Sequence, residues 1–518
     1  MMIIKIISIL FISIFLIFSG CITVSEIEKN DVIRDEIIIG ISYDVCGFHP
    51  WMESYDVDTM SINSNIFNSL IELNNDLRLT PALANYWSNP NNVTWRFFLR
   101  EGVKFHNGYN FTADDVKYTI DLIRNDLSND LMTLLLSVKE VNVIDEYTVD
   151  IITKYPNPIL LNNLVDIYIV SKNYQEKSIE KWPIGTGAYM LVEYVESEYI
   201  SMERFDDYWR EQPDVKRVLF KMISDSEIKK NALLDGKIDV SSINPIYYDD
   251  VQNISNLKLK TISTPTVFYL GFDCREYNSN GFGEDKNPLS DIKVRKAIYY
   301  AINVNNIIIE ELNGFADPAS QFVSPYIFGY NPKIKRLNQN IDYAVQLMNE
   351  SGYNNGFNIT LDCWDSNNTK KLCNNIANQL SEIKINVSVN PLSLDKYYST
   401  VPSRNSSFYI IGWMAATLDG GEIFDFLLRT VDDENGIGVC NYGYYSNPEV
   451  DEIGRVISYT MDPWERQKLI HLGFKIAMDE VALIPLYSPQ MNFAFFDFLN
   501  WNPRPDLHLK IEEFEILY

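Results

Sequence analysis

The chain has 518 residues, 46% hydrophobic and 22% charged, enough apolar material for a large core and far too much for a disordered polymer. Lys and Arg total 44 against 70 Asp and Glu, a formal charge of −26 that repels polyphosphate and argues against a nucleic-acid partner. Four histidines and six cysteines leave little material for a multi-metal enzyme.

Residues 1–21 read MMIIKIISILFISIFLIFSGC. Lys5 precedes an apolar run from Ile6 to Phe18, interrupted only by Ser8 and Ser13 and too short for a comfortable membrane span. Together with the small Ser19-Gly20, this reads as a lipoprotein export signal, with Cys21 as the lipid-attachment residue. An ordinary cleaved signal and an uncleaved anchor are the alternatives. All three place the body outside the cytoplasm, and the lipoprotein reading anchors it to the extracytoplasmic face of the cell membrane. Residues 22–35 are polar and acidic, a plausible tether. Cys46, Cys274, Cys363, Cys373 and Cys440 then follow, none with C-x-x-C spacing, so zinc has no support. Cys363 and Cys373 are either a disulfide or two buried thiols.

In chain order, the first strand signal is 36–43, EIIIGISY, followed by the turn-rich Cys46–Trp51. Thr94–Arg100 is an alternating, aromatic strand, and Val103–Gly108 is its expected hairpin partner. Thr112-Ala113-Asp114-Asp115 has the form of a capping box, and Val116, Ile120 and Ile123 continue it at helical spacing. Ser290-Asp291 opens a helix with Val294, Ala297, Ile298 and Ala301 on one stripe. Further helices are expected over Asn340–Ser351 and from Asp462-Pro463, where Pro occupies the first helical position. Strand signals recur at Thr266–Phe272, Phe357–Leu361, Ile385–Val389 and Val481–Tyr487, so the chain is mixed α/β.

Several of these segments carry a resemblance. Trp95-Arg96-Phe97-Phe98-Leu99-Arg100-Glu101-Gly102-Val103-Lys104-Phe105-His106-Asn107-Gly108, then Phe111–Val116, resembles the signature of the family 5 extracytoplasmic solute-binding proteins of dipeptide, oligopeptide and nickel ABC importers. Pro183–Tyr189, Asp207-Tyr208-Trp209, Leu234–Val240, Pro288–Ile298, Gly412-Trp413 and Ile484–Tyr487 match further family segments in order. Most of them read as scaffold: His106 as a structural histidine, Gly185-Thr186-Gly187 as a tight turn, and Arg295 as one half of an ion pair. The resemblance implies a two-lobed, type II periplasmic-binding-protein-like α/β fold with an extra subdomain inserted in lobe I. Lobe I would comprise 36–60, 182–265 and 485–518, the inserted subdomain 61–181, and lobe II 266–484.

The same resemblance implies ligand contacts at the end of lobe I's first strand, among them Tyr43, Phe48 and His49. It also implies them along Gly412–Asp419, where Trp413 suits a cleft wall. Tyr269 and Trp364 are further candidates. Peptide binders of the family pair an Asp soon after the Gly-Trp with the ligand's α-ammonium. That position falls at Ala416 here, so either Asp419 or Glu422 takes over, or the ligand has no amine there. The Arg that dipeptide binders use for the ligand carboxylate is missing, and Lys370 or Lys371 would have to substitute.

The implied function is capture, not catalysis. A peptide or small polar solute would be held between the lobes and delivered to an ABC permease and its ATPase, by a monomer with no cofactor and no directly bound metal. A nickel-chelate binder on the same scaffold is the alternative, with His49 its one attractive ligand. An exported hydrolase would need a nucleophile elbow, S-x-x-K or H-E-x-x-H, and the sequence has none.

Overall fold

Leu483–Phe496 is a strand of 14 residues rich in aliphatic and aromatic side chains, buried over most of its length. In the computed structural model, which describes residues 35–50, 56–126, 129–173, 182–277 and 286–517, this strand belongs to two cores at once. Cys21, the tether up to residue 34 and Trp51 lie outside the described residues.

The first half of the strand pairs antiparallel with Val267–Phe272 and Ala316–Pro318. The second half pairs with Val240–Ile243 and Leu257–Ser263. Partners change between Pro489, opposite Ala316, and Gln490, opposite Ser263, a few residues beyond the break at 484/485 that the resemblance implies. Pro485 has no N–H for the ladder, and the register slips at that point, between Phe268 and Tyr269.

One sheet runs through both halves. From one edge its strands are Ile385–Leu392, Phe357–Trp364, Phe408–Trp413, Val267–Phe272, the shared strand, Val240–Ile243, Glu36–Ile41, Arg217–Met222, Tyr199–Arg204 and Tyr189–Val195. Parallel pairs, Glu36–Ile41 with Arg217–Met222 and Phe357–Trp364 with Ile385–Leu392, need crossover connections, as in α/β folds. The apolar side chains sort accordingly. Ile37, Ile39, Phe220, Phe495 and Trp501 pack in one core, and Leu270, Leu361, Ile410 and Ile484 in another. A separate four-stranded antiparallel sheet, Ala84–Asn91, Thr94–Leu99, Thr148–Thr153 and Val138–Asp145, packs under helix Ala113–Asn125.

Helix starts follow the sequence closely. Thr112 and Asp115 form both halves of the capping box, and Asp462 caps Pro463–Asp479. Two expectations need correction, and one open choice, at Cys363 and Cys373, is decided. Val103–Gly108 is not a strand: Gly102 and Gly108 turn the chain at φ +75° and +86°, and Thr94–Leu99 pairs instead with Ala84–Asn91 and Thr148–Thr153. Arg295 makes no ion pair among the described residues. Its guanidinium donates to the carbonyls of Leu289, Ser290, Glu480 and Val481, bracing a helix start against a helix end. Cys363 and Cys373 are both buried and meet as thiols, not as a bridge.

The Gly185-Thr186-Gly187 turn is a site of backbone contact. Gly187 N–H donates to Ile66 O at 2.8 Å, and a Cβ at Gly185 would stand 2.0 Å from that same oxygen. His106 staples the turn: its Nδ1 accepts from Gly185 N–H at 3.3 Å, while its Nε2 donates to Gly187 O at 3.0 Å. Burial drives the imidazole down to about 4, so it is neutral at pH 7 and acts as the structural histidine the sequence implies. Gly185→Ala is therefore expected to cost about 3 kcal/mol, because backbone must move to admit one methyl; urea unfolding of the variant would measure it.

Candidate ligand-binding cleft

Helix Val57–Ile66 starts at Asp56, whose carboxylate caps Thr59 N–H at 2.7 Å. One turn in, Asp58 accepts from the N–H groups of Ser42 at 2.9 Å and Tyr43 at 3.0 Å, fixing the chain where strand Glu36–Ile41 ends. Burial pushes the Asp58 carboxyl up, although those two donors oppose the shift. Beneath it, Lys229 donates to Ser42 Oγ at 2.6 Å and Ser242 Oγ at 3.1 Å, and burial pushes its ammonium down. A cavity of 350 Å³ opens at this strand end, with Tyr43, 69% exposed, at its rim.

Val57, Met491 and Leu507 also line a larger cavity of 460 Å³ where the two halves of the shared strand meet. Met60, Phe67 and Met491 form an apolar wall on one side, and Phe268, Met414 and Leu418 form the other. The rest of the lining is mixed and includes a group of charged side chains. Arg504, 1% exposed, grips Asp506 through two bonds of 3.0 and 2.7 Å and reaches Glu513 at 2.9 Å. Lys510 pairs with Glu72 at 3.1 Å, and Arg210 pairs with the same carboxylate. His508 is held neutral by burial, against the pull of Asp506. Asp166 also lines the cavity, and burial together with the Asp506 charge raises its carboxyl to about 6.

The residues expected at the ligand are scattered. Phe48 is buried edge-on against Tyr194 with centroids 5.2 Å apart, and His49 is half-buried and lines neither cavity. Tyr269 is fully buried, its hydroxyl donating to Phe322 O, so it is a core residue. Trp364 stands one layer back, against Phe268 at 5.9 Å and Tyr397 at 5.8 Å. Trp413 packs on Phe426 at 5.7 Å, with its indole N–H buried and unpaired. Asp419, 5% exposed, is ion-paired with the buried Arg466 and accepts from Gly421 N–H at 2.7 Å. Glu422 accepts from Ala416 N–H at 3.1 Å and from Thr417 N–H and Oγ1 at 2.9 and 2.7 Å. Burial still raises its carboxyl. Neither Asp419 nor Glu422 is the free amine clamp expected: both carboxylates are committed to holding their own loop.

Alternation and a turn explain the misplacement. In extended chain, successive side chains point to opposite faces. Phe268 therefore reaches the cavity while Tyr269 turns into the core; beyond the strand end at Trp413 the chain turns, Leu418 N–H donating to Ala415 O at 2.9 Å, and that turn presents Met414, Ala416 and Leu418 to the cavity. The segments were legible and the faces were not. Asp166 sits in no motif, so nothing in the sequence singles it out.

Residues 78–435 match the family described as bacterial extracellular solute-binding proteins, family 5. The chain belongs to that family. As a family 5 solute-binding protein it is 25% identical over 470 residues to the glutathione-binding protein GsiB of Escherichia coli, covering 87% of this chain and 88% of that one. Its fold matches the substrate-binding protein CtaP of Listeria monocytogenes with a TM-score of 0.83 at 23% identity, over 93% of this chain and 99% of the other. It also matches the periplasmic binding protein DppA of Helicobacter pylori, in complex with the peptide STSA, with a TM-score of 0.73 at 21% identity, over 94% and 99%. These likenesses establish the type II periplasmic-binding-protein fold.

In this family 5 protein the pair Asp419–Arg466 is a buried lock on the loop behind the cleft. Asp419→Asn should cost about 3–5 kcal/mol, since it leaves the guanidinium of Arg466 buried without its charge partner. Ligand affinity should change by less than about threefold; urea unfolding and calorimetric titration would separate the two effects.

Proposed function

We propose that this protein is the capture subunit of an ABC importer, tethered by lipid at Cys21, and that it takes a short peptide or a similar small polar solute and releases it unaltered. The observation that carries the reading is the 460 Å³ cavity, walled by both halves of a molecule that shares one long strand. That volume suits a ligand of a few residues, and apolar walls with a few polar groups are what small-ligand sites use. Two of the relatives are named for peptides, one for glutathione and one bound to STSA, which supports the same class. A solute touching both walls stabilises the closed arrangement by its differential affinity, and closure then signals occupancy to the permease. Capture without turnover suits a cavity whose Arg504, Lys510, Glu72 and Asp506 already neutralise one another.

Native mass spectrometry of the purified protein tests this reading. A retained peptide-sized mass is expected. A nickel-bearing adduct would favour the chelate binder instead, and conversion of the retained compound would contradict capture. Phe268→Ala removes a wall of the cavity and should weaken retention by roughly ten- to a hundredfold, the affinity equivalent of about 1.5–3 kcal/mol of apolar contact.

A further inference from the structure

The charged groups around the larger cavity do not cancel completely. Arg504 is taken by Asp506 and Glu513, and Lys510 and Arg210 are taken by Glu72. Asp166 lines the same cavity and has no hydrogen bond or ion pair among the described residues. The charge that acts on it is another negative one, Asp506. Met414, Ala416 and Leu418, which also line it, offer no side-chain donor.

An ionised carboxylate in such a place is costly unless a cation joins it. We infer that Asp166 is the seat for a cationic amine of the solute, an ammonium or guanidinium, with the solute's apolar body lying against Phe67, Phe268 and Met414. The inference rests on the capture function proposed above and names the chemistry of its ligand. A free amino terminus is common to all linear peptides, so one carboxylate fixes their register whatever their side chains. Because the other charged groups of the lining are already paired with one another, this one contact also selects against solutes that lack the amine, whose binding leaves Asp166 unpaired.

The charged and titratable groups that line the cavity with Asp166 are Arg504, Asp506, His508 and Lys510 on the C-terminal segment, Tyr168 two residues on, and Glu72; of these, the Asp506 charge acts on its carboxyl. Burial, with the Asp506 charge adding to it, raises the Asp166 carboxyl to about 6, so the seat is still charged at pH 7.5 and loses its charge as pH falls through about 6. Affinity for amine-bearing solutes should fall in that window, and affinity for acylated ones should not.

The test uses a pool of tri- to pentapeptides with free amino termini and the same pool after N-acetylation, each offered to the full-length protein and read by native mass spectrometry at pH 7.5. Wild type is expected to retain free-amine peptides at least tenfold better than acetylated ones. Asp166→Asn, nearly identical in shape, should erase that preference while its empty form melts no lower than wild type. Equal preference in wild type and Asp166→Asn overturns the assignment of Asp166 and leaves capture standing. Retention of no peptide from either pool by wild type overturns both.

Discussion

Two antiparallel stretches, Leu257–Phe272 and Leu483–Phe496, are the structural constraint on which the rest depends. Each leaves one hydrophobic core and enters another, and the pairing partners change at Pro489–Gln490. A backbone shared in this way fixes the line along which the two cores meet. It also sets what lies there: Thr264 and Pro489 on the crossing itself, with Phe268 and Met491 just beyond on either side. Proline at 485 and 489 thins the ladder where a fully paired sheet would be stiffest, which suits the closure proposed for solute capture.

Charge is the second organising feature. A chain net charge of −26 coexists with an interior knot of guanidinium, ammonium and carboxylate groups around the cavity, held by bonds from Arg504 and Lys510. Buried ions are tolerated only in mutual contact, and most of these have it. Asp419–Arg466 follows the same rule elsewhere in the molecule, and Glu422 is held instead by three neutral donors. Asp166 stands outside it, and on the proposed reading the solute supplies what the fold does not.

The fold was legible in the sequence wherever local chemistry decides structure. Capping acids at Asp115 and Asp462, proline at the first turn of Pro463–Asp479, and β-rich runs such as Phe357–Trp364 each fix their own element. Val103–Gly108 failed because the competing partner strand, Thr148–Thr153, is remote in sequence. Arg295 failed because backbone carbonyls from a distant helix end, not a carboxylate, meet it. At the cleft, the right segments were recognised through family resemblance, but which face of an extended segment turns inward depends on packing that no short motif encodes. One residue separates Phe268 at the cavity from Tyr269 in the core. Asp166 gave no signal at all, since its role rests on what surrounds it in space.

The central claim is that the two cores close on a solute about the strand they share. Small-angle scattering of the protein, first stripped of ligand by mild denaturation and refolding and then saturated with the peptide it retains, measures this directly. The account predicts a smaller radius of gyration in the loaded protein and a return to the larger value once the peptide is removed. Identical scattering curves at full occupancy would contradict it.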